Sequence, residues 1–273
     1  MSREILPAKS DIVFKMLFGD ERNIDLLTDL LKSVLDLPSD EYDVVTIVDP
    51  HLLRDFGDDK LGILDVKVKT KSGKAIDIEI QVAPVPELKE RIIFYNSKMV
   101  TEQIGDGDNY RNIKKVISII ITNFDYIDDS DFYHNDYTLY DSKTKSRFTN
   151  LVEIHTLELS KLPNADDGTE LWDWLTFLKA ETKEELEMVA QTNPQIKKAV
   201  GVLQILSADE RTRMLYESLE KARRDEESRL YGALQERDIE IAKALLAMGD
   251  GVDKIEKVTN LPREEIEKLR TQL

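Results

Sequence analysis

The stretch LDVKVKTKSGKAIDIEIQV, residues 64–82, decides the fold. From 64 to 69 apolar Leu64, Val66 and Val68 alternate with Asp65, Lys67 and Lys69, and from 76 to 82 Ile76, Ile78, Ile80 and Val82 alternate with Asp77, Glu79 and Gln81. A period of two over this length marks two half-buried strands, because successive side chains of a strand point to opposite faces. Between them Lys71-Ser72-Gly73-Lys74 supplies a turn whose glycine accepts a positive φ, so the pair is an antiparallel hairpin. A three-residue loop, Lys71 to Gly73, pairs Thr70 with Lys74 and places Asp65 opposite Glu79 on one face, with Gln81, Lys67 and Lys69 nearby.

Two carboxylates forced together are unfavourable unless a cation or a proton lies between them, and hard oxygen ligands suit Mg²⁺ or Mn²⁺. A metal site is one reading of this face. A solvated face of cross-strand ion pairs is the other, and alternation alone leaves both open. From Lys60 to Lys74 five lysines stand against one acid, Asp65, a local charge of +4. That suits a DNA-facing edge and equally an edge strand guarded by lysines.

Outward from the hairpin, Ser10 and Asp11 open a helical stretch, residues 10–37, that reads as two short helices or one kinked at Gly19. Val44 to Val48 is a short β-branched strand ended by Pro50. Beyond Pro84 and Pro86, residues 87–104 predict a helix, and Val116 to Thr122, apolar on both sides, predicts a central strand. Residues 125–141, with six aspartates and no lysine or arginine, read as an exposed loop, and Leu151 to Leu159 as a further strand for which an edge position is open. The order helix, strand, hairpin, helix, buried strand gives an α/β core with a mixed sheet.

Leu162 to Gly168 is the best linker, and everything beyond it reads as helix, at about 169–180, 182–190, 194–206, 209–235, 237–248, 252–258 and 263–271. Leu230, Leu234, Ile241 and Leu245 follow coiled-coil-like spacing, so a homodimer through residues 209–273 is expected. Val252 to Thr271 has helix-turn-helix spacing, but five basic and five acidic residues cancel and argue against DNA reading there. Trp172 and Trp174 read as packing anchors. His51, His134 and His155 lack ligand spacing and read as surface or loop histidines.

The 273 residues allow one or two domains, and 41% hydrophobic against 34% charged residues describes a solvated, folded chain. The absence of cysteine excludes disulfides, thiolate catalysis and cysteine-ligated metals, and with no leader-like N-terminus the expected compartment is the cytoplasm. A net charge of −16 argues against nucleic-acid binding through the overall field, so any such contact must be local.

The spacing Asp65…Glu79-Ile80-Gln81 followed by a helix resembles the PD-(D/E)XK nuclease superfamily. The opening Lys9-Ser10-Asp11-Ile12-Val13-Phe14-Lys15-Met16-Leu17-Phe18-Gly19, the two hairpin strands, Arg91 with Tyr95, and Gly105 with Tyr110 are similar to its recombination-promoting nuclease and transposase branch. The resemblance covers about residues 8–160. It implies a restriction-endonuclease-like core, a mixed central sheet flanked by helices, over residues 1–160, then a linker at 161–168 and an all-α region at 169–273. It further implies that Asp65, Glu79 and the Ile80 carbonyl ligate Mg²⁺ or Mn²⁺, with Asp65, Glu79 and Gln81 as the catalytic set. Asp11, Lys15, Asp77, Arg91 and Tyr95 would support that set, and Lys67, Lys69 and Lys71 would face DNA. Gln81 stands where the superfamily most often has lysine, and an amide cannot act as a base. The implied function is a metal-dependent DNA endonuclease linked to recombination or mobile elements. The alternative is a weakly active or inactive relative working through protein contacts of its helical tail.

Overall fold

The structure, a computed structural model, describes residues 5–48 and 66–272. The hairpin forms as its alternation dictates. Strand β2 (Val66–Lys69) pairs antiparallel with β3 (Ala75–Gln81) in the register Val66↔Ile78, Lys67↔Asp77, Val68↔Ile76 and Lys69↔Ala75. The turn is closed by Thr70 N–H donating to Lys74 O at 3.0 Å, with Gly73 at φ +85°, a value a side chain would oppose. The expected Thr70/Lys74 pairing thus holds. Asp65, expected opposite Glu79, lies outside the described residues, as do Lys60 and His51.

Among the described residues four more strands, β1 (Thr46–Val48), β4 (Val116–Thr122), β5 (His134–Tyr140) and β6 (Arg147–Glu158), join the hairpin in one mixed sheet of order β1-β2-β3-β4-β6-β5. Strand β1 (Thr46–Val48) lies antiparallel to β2, whereas β4 (Val116–Thr122) lies parallel to β3 and to β6 (Arg147–Glu158). Every residue of β4 is buried, as expected for a strand covered on both faces. Helices α1 (Asp11–Phe18) and α2 (Ile24–Val34) are separated by a 3₁₀ turn, and α1 packs against β3. A Cβ on Gly19 would lie 2.6 Å from the Lys15 carbonyl oxygen, so glycine is required where α1 ends. Helix α3 (Leu88–Thr101) packs against β4.

Three expectations are corrected. Residues 134–140, within the stretch read as an exposed loop, form strand β5 (His134–Tyr140), antiparallel to β6. The ladder holds it although both of its faces are largely solvated, which removes the hydrophobic alternation that a sequence reading needs. Strand β6 is accordingly interior, between β4 and β5, and begins at Arg147. The two helices expected at 209–235 and 237–248 are one, α7 (Glu210–Ala247), because no proline or capping pattern interrupts it.

Beyond the sheet, α4 (Glu170–Lys179), α5 (Lys183–Val189) and α6 (Pro194–Ala208) pack on one another, with α4 and α6 also against α2. Trp174 is fully buried against Phe18 and Phe177, its Nε1 donating to Asp29 Oδ2 at 3.0 Å, in the expected anchoring role. By compactness the chain divides into residues 1–213 and 214–273. In the second unit Ala242 of α7 packs with Val252 and Ile255 of α8 (Val252–Thr259), Leu261, and Ile266 and Leu269 of α9 (Arg263–Gln272). Among the described residues no helix is long and apolar enough to cross a membrane.

Candidate active site

The polar face of β3 carries Asp77 and Glu79, which the pleat directs to the side covered by α3. Parallel pairing sets Ser118 of β4 beside Asp77 and Ile120 beside Glu79, and Ile92 and Tyr95 descend from α3 to close the cleft. The cleft, partly open to solvent, offers about 10 Å³, room for one particle the size of a water or an ion. Asn96, buried on α3, donates to Ser118 Oγ at 3.0 Å and ties the helix to the sheet beside the carboxylates.

Glu79 is 9% exposed. Its Oε1 accepts from Gln81 Nε2 and from Arg91 NH2, the latter at 3.1 Å. A carboxylate so deep needs such donors, because desolvation of a bare charge costs several kcal/mol. Gln81 donates through its nitrogen, which leaves the amide oxygen as an acceptor. Across the β2/β3 ladder Lys67 stands directly opposite Asp77 on the same face.

The structure therefore brings Asp77, Glu79, Gln81, Arg91 and Tyr95 into one place. Ile80 sits between Glu79 and Gln81 with its side chain buried on the other face. Asp11 opens α1 and accepts from Ile12 N–H at 2.7 Å and from Ser10 Oγ at 3.5 Å, both local bonds. Lys15 is a buried cation on the same helix. Lys69 and Lys71 are exposed, and Lys71 pairs with Asp43 at 2.9 Å and Asp40 at 3.8 Å. Beside it Lys74 pairs with Glu41, holding that carboxyl down at about 2. Acids of the 3₁₀ turn at Ser39–Asp43 thus meet part of the lysine run, a cancellation between segments about 30 residues apart in the chain that local charge counting misses.

Two carboxylates and an amide oxygen are hard donors of the kind Mg²⁺ and Mn²⁺ prefer, so the chemistry of the cleft fits a divalent ion. Among the described residues no group of three or more His, Cys, Asp or Glu is placed to hold one, and Asp65 lies outside them.

Sequence reasoning missed Ser118 and Asn96, although a lone serine within the apolar run 116–121 was the available signal. It also misplaced two histidines. His155 is 4% exposed in β6, and its Nδ1 lies 2.9 Å from His134 Nε2 on β5. His155 Nε2 lies 2.9 Å from Glu153 Oε1, and Lys115 pairs with the same carboxylate. The bond to His155, with help from Lys115, holds the Glu153 carboxyl at about 2, while burial and the neighbouring His155 push His134 down to about 4. These contacts need β5 as a strand. In a loop the two rings would have no ladder to bring them together.

A family model described as PD-(D/E)XK nuclease family transposase matches residues 8–233 of the chain. Searches of curated proteins and of solved structures found no match.

Proposed function

From the premise that the chain belongs to the PD-(D/E)XK nuclease family transposases, we propose that it is a metal-dependent endodeoxyribonuclease acting on DNA in recombination or element mobility, in the cytoplasm. The observation that carries the proposal is Glu79, a nearly buried carboxylate at the floor of a cleft shared with Asp77 and oriented by Gln81 and Arg91. Glu79 and Asp65, with the Ile80 carbonyl, are the residues we assign to a Mg²⁺ or Mn²⁺ ion. A bound ion would supply an ionised water at neutral pH and draw charge from the scissile phosphate.

The protein's own groups have separate tasks. Arg91 and Gln81 hold Glu79 in one rotamer, so that a ligand oxygen need not be ordered when DNA arrives. Lys67, on the same face, brings positive charge towards a phosphate without a base in the strand. Tyr95 and Ile92 keep the cleft narrow, which excludes bulk water from the carboxylates. Asp11 and Lys15 are assigned supporting roles from the first helix.

The decisive experiment is plasmid cleavage by the full chain with Mg²⁺, with Mn²⁺ and with chelator, beside Asp65→Asn and Glu79→Gln. Ion-dependent nicking lost in both variants, with unchanged circular dichroism, is expected. Equal cleavage in chelator or in both variants overturns the assignment. One observation favours a second reading, a nuclease fold working through tail contacts: the Arg91 guanidinium pairs with the Glu79 carboxylate and offsets its charge. Calorimetry separates the two, since the second reading predicts no Mn²⁺ binding that depends on Glu79.

A further inference from the structure

The hairpin of β5 and β6 reaches past the sheet. The β4/β6 ladder begins at Val116↔Val152, so among the described residues the distal part, residues 139–149, has no third strand beside it. Between Thr138↔Glu153 and Leu139↔Thr149 the register jumps, a bulge of the kind that re-aims the end of a hairpin. At the tip Phe148 is 83% exposed and Tyr140 half exposed. Arg147 lies over the Tyr140 ring at 5.6 Å and donates to its hydroxyl at 3.2 Å.

Lys143, Lys145 and Arg147 are all exposed, and neither lysine pairs with an acid among the described residues. The one acid of the tip, Asp141, is occupied by the turn itself. Its Oδ1 accepts from the N–H groups of Lys143 at 3.0 Å and Thr144 at 2.6 Å, and from Thr144 Oγ1 at 2.9 Å. Residues 140–148 therefore carry a charge of +2 within a −16 chain. Lys145 adds an independent observation. It sits at φ +57°, a left-handed position that glycine or asparagine fills at lower cost, so a cation is kept where the backbone disfavours it.

Exposed cations interleaved with exposed rings are the chemistry that grips single-stranded nucleic acid, the cations on phosphates and the rings on base faces. We propose that the tip of the β5–β6 hairpin, Tyr140 to Phe148, is a docking arm for single-stranded DNA, with Lys143, Lys145 and Arg147 on the phosphates and Phe148 stacked on an unpaired base. The proposal rests on the nuclease reading and narrows its substrate to DNA with an unpaired segment. Duplex bases, already stacked, give Phe148 no face.

The test is fluorescence anisotropy of full-length protein in chelator, with a labelled single strand and the matching blunt duplex. Phe148→Ala is expected to weaken single-strand binding about tenfold or more while leaving duplex binding unchanged. Lys143→Ala and Arg147→Ala weaken both, each lowering the salt slope by about 0.7 on the single strand. Lys145→Gly is the control for folding. It relieves the left-handed strain, so its melting temperature holds or rises while its single-strand affinity falls. Variants that bind the single strand like the unaltered protein overturn the arm, and plasmid cleavage by that same preparation then shows whether the nuclease reading survives. Unaltered protein that neither binds nor cleaves overturns both. A lower light-scattering mass for Phe148→Ala would assign the tip to contacts between copies and overturn the arm as well.

Discussion

Arg91 of α3 and Glu79 of β3 form an ion pair at 3.1 Å that ties the helix over the cleft to the strand beneath it. Both side chains are largely shielded, so truncating one leaves the other a poorly solvated charge. Arg91→Ala is therefore expected to destabilise the fold by about 1–3 kcal/mol, less than for a fully buried pair because the guanidinium keeps some contact with water. Glu79→Gln, which removes the charge and retains an amide oxygen for Arg91, costs less stability than Arg91→Ala while abolishing cleavage. Thermal denaturation of the two single variants and the double variant measures the coupling, and fully additive losses would deny the pair any role.

The histidine pair makes stability sensitive to acid in a defined order. His134 in the fold is held near 4 by burial and by His155, against about 6.5 in an unfolded chain, so the unfolded state gains the proton first. The stabilisation present above about 6.5 is therefore lost as pH falls towards 4, on the order of 1–3 kcal/mol. Glu153 and Glu41, both held at about 2 by their partners, act lower. Their contribution is complete above about 4.5 and disappears as pH falls towards 2. Urea titrations at several pH values should show both windows in the unaltered protein and only the lower one in His134→Gln. An identical pH dependence in the two proteins would count against the buried pair.

How much of this was legible depended on whether the pattern was local. Alternation at 64–82 with Gly73 in the turn fixes strands, register and face together, because a slip of one residue would bury Lys67 and expose Val66 and Val68. Strand β4 announces itself by five apolar β-branched residues among its seven. Strand β5 does not, since His134, Asn135, Asp136 and Thr138 put polar groups on both faces and the bulge after Thr138 breaks the period. The candidate site follows the same division. Asp77, Glu79 and Gln81 come from period two, whereas Arg91 and Tyr95 came only from resemblance. The Asn96–Ser118 bond joins α3 to β4 over 22 residues, and no local pattern marks it.

Gln81 offers a test of how the nucleophile arises. Its amide orients Glu79 and carries no charge, so Gln81→Ala is expected to slow cleavage about ten- to a hundredfold, less than loss of Glu79. Gln81→Lys keeps a donor for Glu79 and adds charge assistance, and should be tolerated or activating. Single-turnover cleavage rates at saturating Mg²⁺ decide this. If Gln81→Lys is as inactive as Glu79→Gln while both remain folded, the amide itself is indispensable and the proposed origin of the nucleophile is wrong.

The tail bears on assembly. On α7 Leu230 is 54% and Leu234 50% exposed, and Tyr231 beside them is exposed as well, whereas Leu245 further along packs into the α8/α9 cluster. An isolated surface leucine is ordinary, but two at a spacing of four on a 38-residue helix form one stripe. Against a second copy of the same helix that stripe would be covered, while Arg223 and Arg229 keep their pairs with Glu220, Glu227 and Glu226 within α7. Leu230 and Leu234 are exposed and lie outside the buried α8/α9 cluster, so Leu230→Glu with Leu234→Glu should leave helical circular dichroism unchanged while a dimer falls to monomer in light scattering. A monomeric mass for the unaltered protein at tens of micromolar, or a dimer indifferent to both substitutions, would place any self-association elsewhere than on α7.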